Sequence, residues 1–147
     1  MSGAASLVVR AFRDADEPAV TALWTRVFHH PEHRNQPARA IEKKRRVQPE
    51  LFLVAELSGD LVGTTMAGYD GHRAWLYLVA VAPEHRRLGI GRRLVLDAVA
   101  RLRQLGAPKL NLQINAENAS VVGFYAKLGF RVEPRVSMGL LLEEEGA

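Results

Sequence analysis

Residues 86–93 read Arg86-Arg87-Leu88-Gly89-Ile90-Gly91-Arg92-Arg93, a mixture of arginines and glycines suited to holding a polyanion. The two glycines lack a Cβ, so the main chain there can approach a bulky anion closely. An apolar run and Pro83 precede the stretch, and a long apolar-periodic segment follows it, so it joins a strand to the start of a helix. Helix starts present N–H groups with no partner inside the helix, and the dipole there favours negative charge. With arginines at 86, 87, 92 and 93, the chemistry implied is binding of a phosphate or pyrophosphate. A glycine turn before an ordinary helix is the alternative on these residues alone.

Two other phosphate loops are excluded by spacing. The pattern G-x-x-x-x-G-K-S/T occurs nowhere in the chain. A dinucleotide fingerprint needs glycine or alanine three positions after Gly91, where Leu94 stands.

The elements that position this loop come from a chain of 147 residues, a length suited to one compact domain with a sizeable core. Apolar residues make up 48% and charged ones 24%, an ordinary globular composition. No apolar run approaches a membrane span, and residues 1–6 lack the basic and apolar regions of a signal peptide. With no cysteine, disulfides, thiol catalysis and cysteine-held metals are excluded, and a cytoplasmic location is the default expectation. The net charge of +4 fits either nucleic acid or a polyanionic cofactor. The basic residues are not interleaved with aromatics as a base-stacking surface requires. They cluster at 43–46 and 85–93. The second cluster is the candidate phosphate loop, and the first reads as a solvated helix face.

In chain order, residues 7–10 form a short strand, and Asp14 or Asp16 is placed to cap a helix carrying Val20, Leu23, Trp24, Val27 and Phe28 at a 3.6 period. Residues 29–37 are a loop by their two prolines and polar content, and a second helix runs from 38 to 47. Strands follow at 51–57, 61–69 and 74–81, joined by turns at 58–60 and 70–71. The long helix, 90–105, puts Ile90, Leu94, Ala98, Leu102 and Leu105 on one face and ends at Gly106. A strand at 110–114, a helix at 119–128 closed by Gly129, and strand-like pieces near Phe130 and at 137–142 complete the order, with residues 143–147 as a frayed tail. The result is β-α-α-β-β-β-α-β-α-β, a mixed α/β sheet.

The run R-x-x-G-x-G between a strand and a helix resembles the acetyl-CoA loop of the GNAT family of N-acetyltransferases, whose pattern is Q/R-x-x-G-x-G/A. A second run, Asn118-Ala119 followed by Phe124-Tyr125-Ala126-Lys127-Leu128-Gly129-Phe130, looks like the family's other signature, N-x-x-x-x-x-L/F-Y-x-x-x-G-F. With the element order, the resemblance covers nearly the whole chain. Residues 52–56, Gly63-Thr64, residues 68–73, and Asn35, Pro37, Ile41 and Lys44 look like a subgroup of small stand-alone bacterial acetyltransferases. Ala74 departs from the glycine expected there.

The resemblance implies the acyl-CoA N-acyltransferase fold, acetyl-CoA as acetyl donor, and an amine acceptor. It gives the main chain of Val79 and Val81, on a strand that splays from its neighbour, to the pantetheine arm. The segment Arg86, Arg87, Leu88, Gly89, Ile90, Gly91 and Arg92 goes to the cofactor, its N–H groups from Arg87 through Arg92 to the pyrophosphate, with Asn118 given a cofactor hydrogen bond and Tyr125 the thioester sulfur. The amine attacks the acetyl carbonyl, a tetrahedral intermediate forms, and the thiolate leaves. A donor beside that sulfur is worth roughly 10²–10⁴-fold. Taken without the motif, Tyr125 reads equally as a core tyrosine beside Phe124.

The base that deprotonates the amine is open. Trp75 stands where histone-acetylating members carry a strand-four glutamate, and Gln113 where members acting on protein N-termini carry one on strand five. Glu56, Asp70, His72, Tyr77 or water remain, each side chain also readable as a hairpin or surface residue. His29, His30 and His33 invite a metal reading, but Pro31 breaks the helix that the spacing would need, and no metal is expected. Residues 29–37 and 68–75 are expected to shape the acceptor pocket. The expected acceptor is a small-molecule primary amine, a peptide or protein amine being second choice. No membrane or specific nucleic-acid partner is expected, and oligomeric state stays open, a homodimer among the options. A domain that binds the cofactor without catalysis is the competing reading, and the presence of Tyr125 speaks for the enzyme.

Overall fold

Five strands form one sheet in the order β1-β2-β3-β4-β5: β1 (Leu7–Ala11), β2 (Phe52–Leu57), β3 (Asp60–Tyr69), β4 (Ala74–Val81) and β5 (Leu110–Leu112). The computed structural model describes residues 6–28 and 36–143, in two compact units divided after Leu112. The sheet belongs to the first unit with three helices, α1 (Glu17–Val27), α2 (Pro37–Arg45) and α3 (Ile90–Gln104). The second unit holds α4 (Val122–Lys127).

Local chemistry explains the antiparallel part. Leu57 pairs with Asp60, leaving Ser58 and Gly59 as a two-residue turn with φ of 52° and 89°. Two positive φ values match the twist of a hairpin, and glycine at the second removes the steric penalty. At the β3–β4 turn the Asp70 carboxylate accepts from the N–H groups of His72 and Arg73, both at 2.8 Å. β5 runs parallel to β4, which requires the crossover that α3 supplies.

Alternation along β3 assigns the layers. Thr64 bonds Trp24 of α1, and Gly68 faces Lys44 of α2. Gly63, one position out of phase, lies against Ile90 and Leu94 of α3. Trp24 and Phe12 both stack on Phe52, at 5.8 and 4.5 Å between ring centroids. Leu94 is fully buried, and truncating it to alanine would cost about 2–5 kcal/mol. α3 ends in a Schellman arrangement: Ala107 N–H donates to Leu102 O and Gly106 N–H to Arg103 O, with Gly106 at φ 84°.

Several sequence expectations are corrected. Leu105 is 48% exposed, because it caps the helix end and has already turned off the buried stripe. Asp16 stands at the N-cap of α1, but its side chain makes no capping bond there: its carboxylate is held by Arg10 and by the Arg13 N–H, and that of Asp14 accepts from Arg45. The 43–46 run is only partly solvated. Lys44 is buried and donates to Ala67 O at 2.5 Å. α2 stops at Arg45, and residues 49–51 form a 3-10 turn before β2. β5 is three residues long, because Gln113 turns away to donate to the Ser137 hydroxyl and Asn115 opens a 3-10 turn. That turn takes residues 116–121, so α4 begins at Val122. No strand forms after α4 among the described residues. Val132, Val136, Met138, Leu140 and Leu142 are each at least 82% exposed. Alternating apolar residues signal a strand only when a ladder partner and a face to bury are present, and Pro134 also removes a donor.

Candidate functional site

The main chain of β4 is paired differently along its length. Over Ala74–Leu76 it has β3 on one side and β5 on the other. The β5 ladder stops at Leu76–Leu112, while β4 runs on to Val81. Ala82 N–H donates to Val62 O at 2.8 Å, and Ala80 pairs with Thr64. Because alternate residues of an antiparallel strand point their N–H and C=O groups to opposite sides, Val79 and Val81 face away from β3. The Val81 carbonyl accepts from Arg86 Nε at 3.3 Å.

A bulge lies at the start of this open edge. Between Thr64 and Met66, β3 advances two residues while β4 advances three, from Ala80 to Tyr77. Leu78 takes up the extra residue at φ 50°, in the left-handed region that costs an L-residue about 1–2 kcal/mol. The Thr64 hydroxyl donates to Leu78 O at 3.0 Å and accepts from Trp24 Nε1 at 2.8 Å. Neither the bulge nor this pair was expected from the sequence; the available signal was a polar Thr64-Thr65 step inside an apolar strand.

After β4, residues 83–85 form a 3-10 turn, Arg86 is extended, and Arg87 and Gly89 adopt φ of 67° and 79° before α3 begins at Ile90. A Cβ on Gly89 would meet no protein atom within 4 Å, so its backbone conformation, rather than crowding, calls for glycine. Successive N–H groups in such a turn form a concavity for anions. The first turn of α3 has no acidic residue and no capping side chain. Arg92 and Arg93 sit there against the dipole preference, an arrangement that a bound anion would offset. Gly63 beds this helix start on the sheet: a Cβ there would lie 2.9 Å from Leu94 Cδ1 and 3.2 Å from Ile90 Cγ2. On the other side of the loop, Arg26 grips Glu84 at 2.5 and 3.1 Å and holds its carboxyl down at about 2.

Thus Val79, Val81 and residues 86–92 are contiguous in the first unit, while Asn118 and Tyr125 lie in the second. Asn118, at φ −107° and ψ 35°, breaks the 3-10 turn that the Asn115 side chain caps. Tyr125 is buried and packs edge-on against Phe124 and Phe130, with centroids 4.9 and 5.5 Å away. Burial pushes its hydroxyl pKa up, so the phenol remains a proton donor at neutral pH.

The base candidates are otherwise engaged to different degrees. Glu56 pairs with Arg10 at 2.8 Å. Two N–H groups hold the Asp70 carboxyl below its usual range. Tyr77 is 51% exposed, and partial desolvation with the nearby Asp70 charge raises its pKa. Trp75 lies opposite Gly68, and Gln113 follows the end of β5. His29, His30 and His33 lie outside the described residues, as does most of the 29–37 loop. No group of three or more His, Asp or Glu side chains among the described residues could hold a metal ion, and no helix among them is long and apolar enough to cross a membrane.

Comparison with known proteins gives the following. A family model described as the acetyltransferase (GNAT) family matches residues 10–130. An acetyltransferase of Pectobacterium atrosepticum is 38% identical over 138 residues, covering 93% of this chain and 96% of its own. One from Yersinia enterocolitica is 38% identical over 145 residues, covering 93% and 98%. Among solved structures, Ard1 from Thermoplasma volcanium superposes with a TM-score of 0.76 at 25% identity, over 86% of this chain and 84% of that one. The PaiA N-acetyltransferase from Thermoplasma acidophilum, solved in complex with coenzyme A, shares the fold with a TM-score of 0.76 at 20% identity, over 89% and 93% of the two chains.

Proposed function

The chain belongs to the GNAT family of acetyltransferases, and on that premise we propose that it transfers the acetyl group of acetyl-CoA to the primary amine of a small molecule, by direct attack in a ternary complex. One observation carries the reading. The β4 edge at Val79 and Val81 leads directly into a helix start where Arg87 and Arg92 have no acidic partner among the described residues. A pantetheine arm adds to that edge as an extra strand, through its amides. The N–H groups from Arg87 through Arg92 take the pyrophosphate, that of Arg86 being bonded to Pro83 O. Asn118 adds a hydrogen bond to the donor.

The donor supplies a thioester carbonyl. The acceptor nitrogen bonds to the acyl carbon, and the carbon–sulfur bond breaks. N–H groups of the β4 edge receive the developing oxyanion. The leaving thiolate takes a proton from the Tyr125 hydroxyl, which its raised pKa keeps available, and the proton that the attacking nitrogen sheds returns through water to Tyr125. An aliphatic ammonium has a pKa near roughly 10, so the acceptor must shed a proton on or before binding. Glu56 is tied to Arg10 and Asp70 to its own turn, so water takes that proton, relayed by Glu56, Asp70 or Tyr77, with none indispensable. Residues 68–75 form the described part of the acceptor side.

Thiol release, followed across a panel of amines, polyamines, amino acids, antibiotics and peptides, tests this function. With the best acceptor, Tyr125→Phe lowers kcat about 10²-fold and leaves KM for acetyl-CoA nearly unchanged. An unchanged kcat removes Tyr125 from the chemistry. kcat/KM rises toward alkaline pH, along a limb that follows the acceptor's own pKa. A single replacement of Glu56, Asp70 or Tyr77 that abolishes turnover with both substrates still bound reveals a dedicated base instead.

A further inference from the structure

We infer that Trp24 and Thr64 are positioning residues that shape the β4 edge through the carbonyl of Leu78. This rests on the reading above that the edge receives the acyl donor. A bulge leaves one residue of its strand outside the ladder, and at this one Leu78 sits at φ 50°. Its carbonyl points toward β3, where the Thr64 hydroxyl donates to it at 3.0 Å. That hydroxyl is fixed in this role by Trp24 Nε1 at 2.8 Å, since an indole N–H can only donate and must take the oxygen's lone pair. Both side chains are buried in the interface between α1 and the sheet, with Thr64 at 0% exposure. Two further facts make the pair more than core filling. The bulge follows the end of the β4–β5 ladder, so it sets the direction in which the groups of Val79 and Val81 face on the side that β5 leaves open. Thr65, next in sequence and equally buried, has a hydroxyl with no hydrogen-bond partner among the described residues. The same residue type one position away therefore provides an internal control.

The pin holds Leu78 in its left-handed conformation and thereby aims the N–H and C=O groups of Val79 and Val81. Without it, Leu78 relaxes to a negative φ and the edge turns. Calorimetric titration with CoA tests this on the full chain, comparing Thr64→Val, Thr64→Ser, Trp24→Phe and Thr65→Val. Thr64→Val weakens CoA binding roughly fivefold to tenfold, the scale of one hydrogen bond. Thr64→Ser, which keeps the hydroxyl, restores affinity to within about twofold, and Trp24→Phe falls between the two. Thr65→Val leaves affinity unchanged. In the free protein, amide exchange at residues 78–81 speeds up in Thr64→Val and not in Thr65→Val. Equal CoA affinity for the wild type and Thr64→Val, with the fold intact, overturns the inference and spares the coenzyme site. A wild type that binds no CoA overturns the coenzyme site itself, and the inference with it. Should Thr64→Val fail to fold, Trp24→Phe decides by the same affinity comparison. Failure of both to fold makes the pair a core-stability device and also overturns the inference.

Discussion

Two basic runs of this chain carry four cations each and meet opposite fates. Residues 43–46 end a helix, where the dipole favours cations, and their charges are used up inside the protein. Lys44 reaches Ala67 O, Arg45 contacts Glu17, Asp14 and Glu42, and Arg46 contacts Glu42. Residues 86–93 open a helix, where the dipole disfavours cations. There Arg93 pairs with Asp97 and Arg86 reaches a carbonyl, but Arg87 and Arg92 find no partner among the described residues. Counting charges does not locate a polyanion site. What separates the two runs is which end of a helix the charge occupies and whether carboxylates have been placed beside it.

The largest effect that sharpens this contrast comes from Gly89→Val. The new side chain meets no protein atom, but it must adopt φ near 79° and, on the proposed assignment, stand where the pyrophosphate binds. Acetyl-CoA affinity falls about tenfold or more, and Gly91→Val follows the same course, since a Cβ at either position crowds the pyrophosphate. Undiminished calorimetric binding in both variants would refute the placement of the pyrophosphate.

A middle-sized effect separates the runs directly. Arg87→Ala and Arg92→Ala each weaken acetyl-CoA roughly twofold to fivefold, by a loss that shrinks as salt rises. Arg45→Ala leaves affinity unchanged and lowers the thermal midpoint, because its partners are structural. If Arg45→Ala impairs binding as much as Arg87→Ala, the distinction between the runs collapses.

How much of this was legible in the sequence depends on range. The hairpin turn at Ser58-Gly59, the helix start at Ile90 and the loop before it follow from residues adjacent in the chain, and the structure puts them where local chemistry does. The burial of Lys44 was readable but overlooked: it stands three positions after Ile41, on the apolar stripe of α2, and the surrounding charges disguised it. The bulge at Leu78 carries no glycine or asparagine to announce it, since its left-handed residue is held by a hydroxyl from β3. Alternation at residues 137–142 reads as a strand, yet pairing is decided by a partner that alternation cannot specify. The base is obscure for a similar reason, since whether Glu56 is available depends on Arg10, forty-six positions away.

The smallest effect tests the inward turn of Lys44. Burial lowers its pKa below the ordinary 10.5, so between the folded and unfolded values the unfolded chain holds a proton that the folded one has shed. Stability therefore rises with pH through that window. Lys44→Met removes this dependence, and urea unfolding of wild type and variant should diverge on the alkaline side, toward 10.5. Parallel curves would mean that the amine keeps its proton in the fold.

The most direct test of the anion site compares two donors on the unmodified protein. Acetyl-CoA and S-acetylpantetheine share the thioester and the amide arm, and only the first carries the pyrophosphate and nucleotide. If residues 86–92 hold the pyrophosphate, calorimetry gives acetyl-CoA an affinity about 100-fold higher, the scale of two charge-assisted hydrogen bonds, with the advantage declining as salt is added. Equal affinities at low salt would contradict the assignment and leave the unpaired arginines without a role in the donor site.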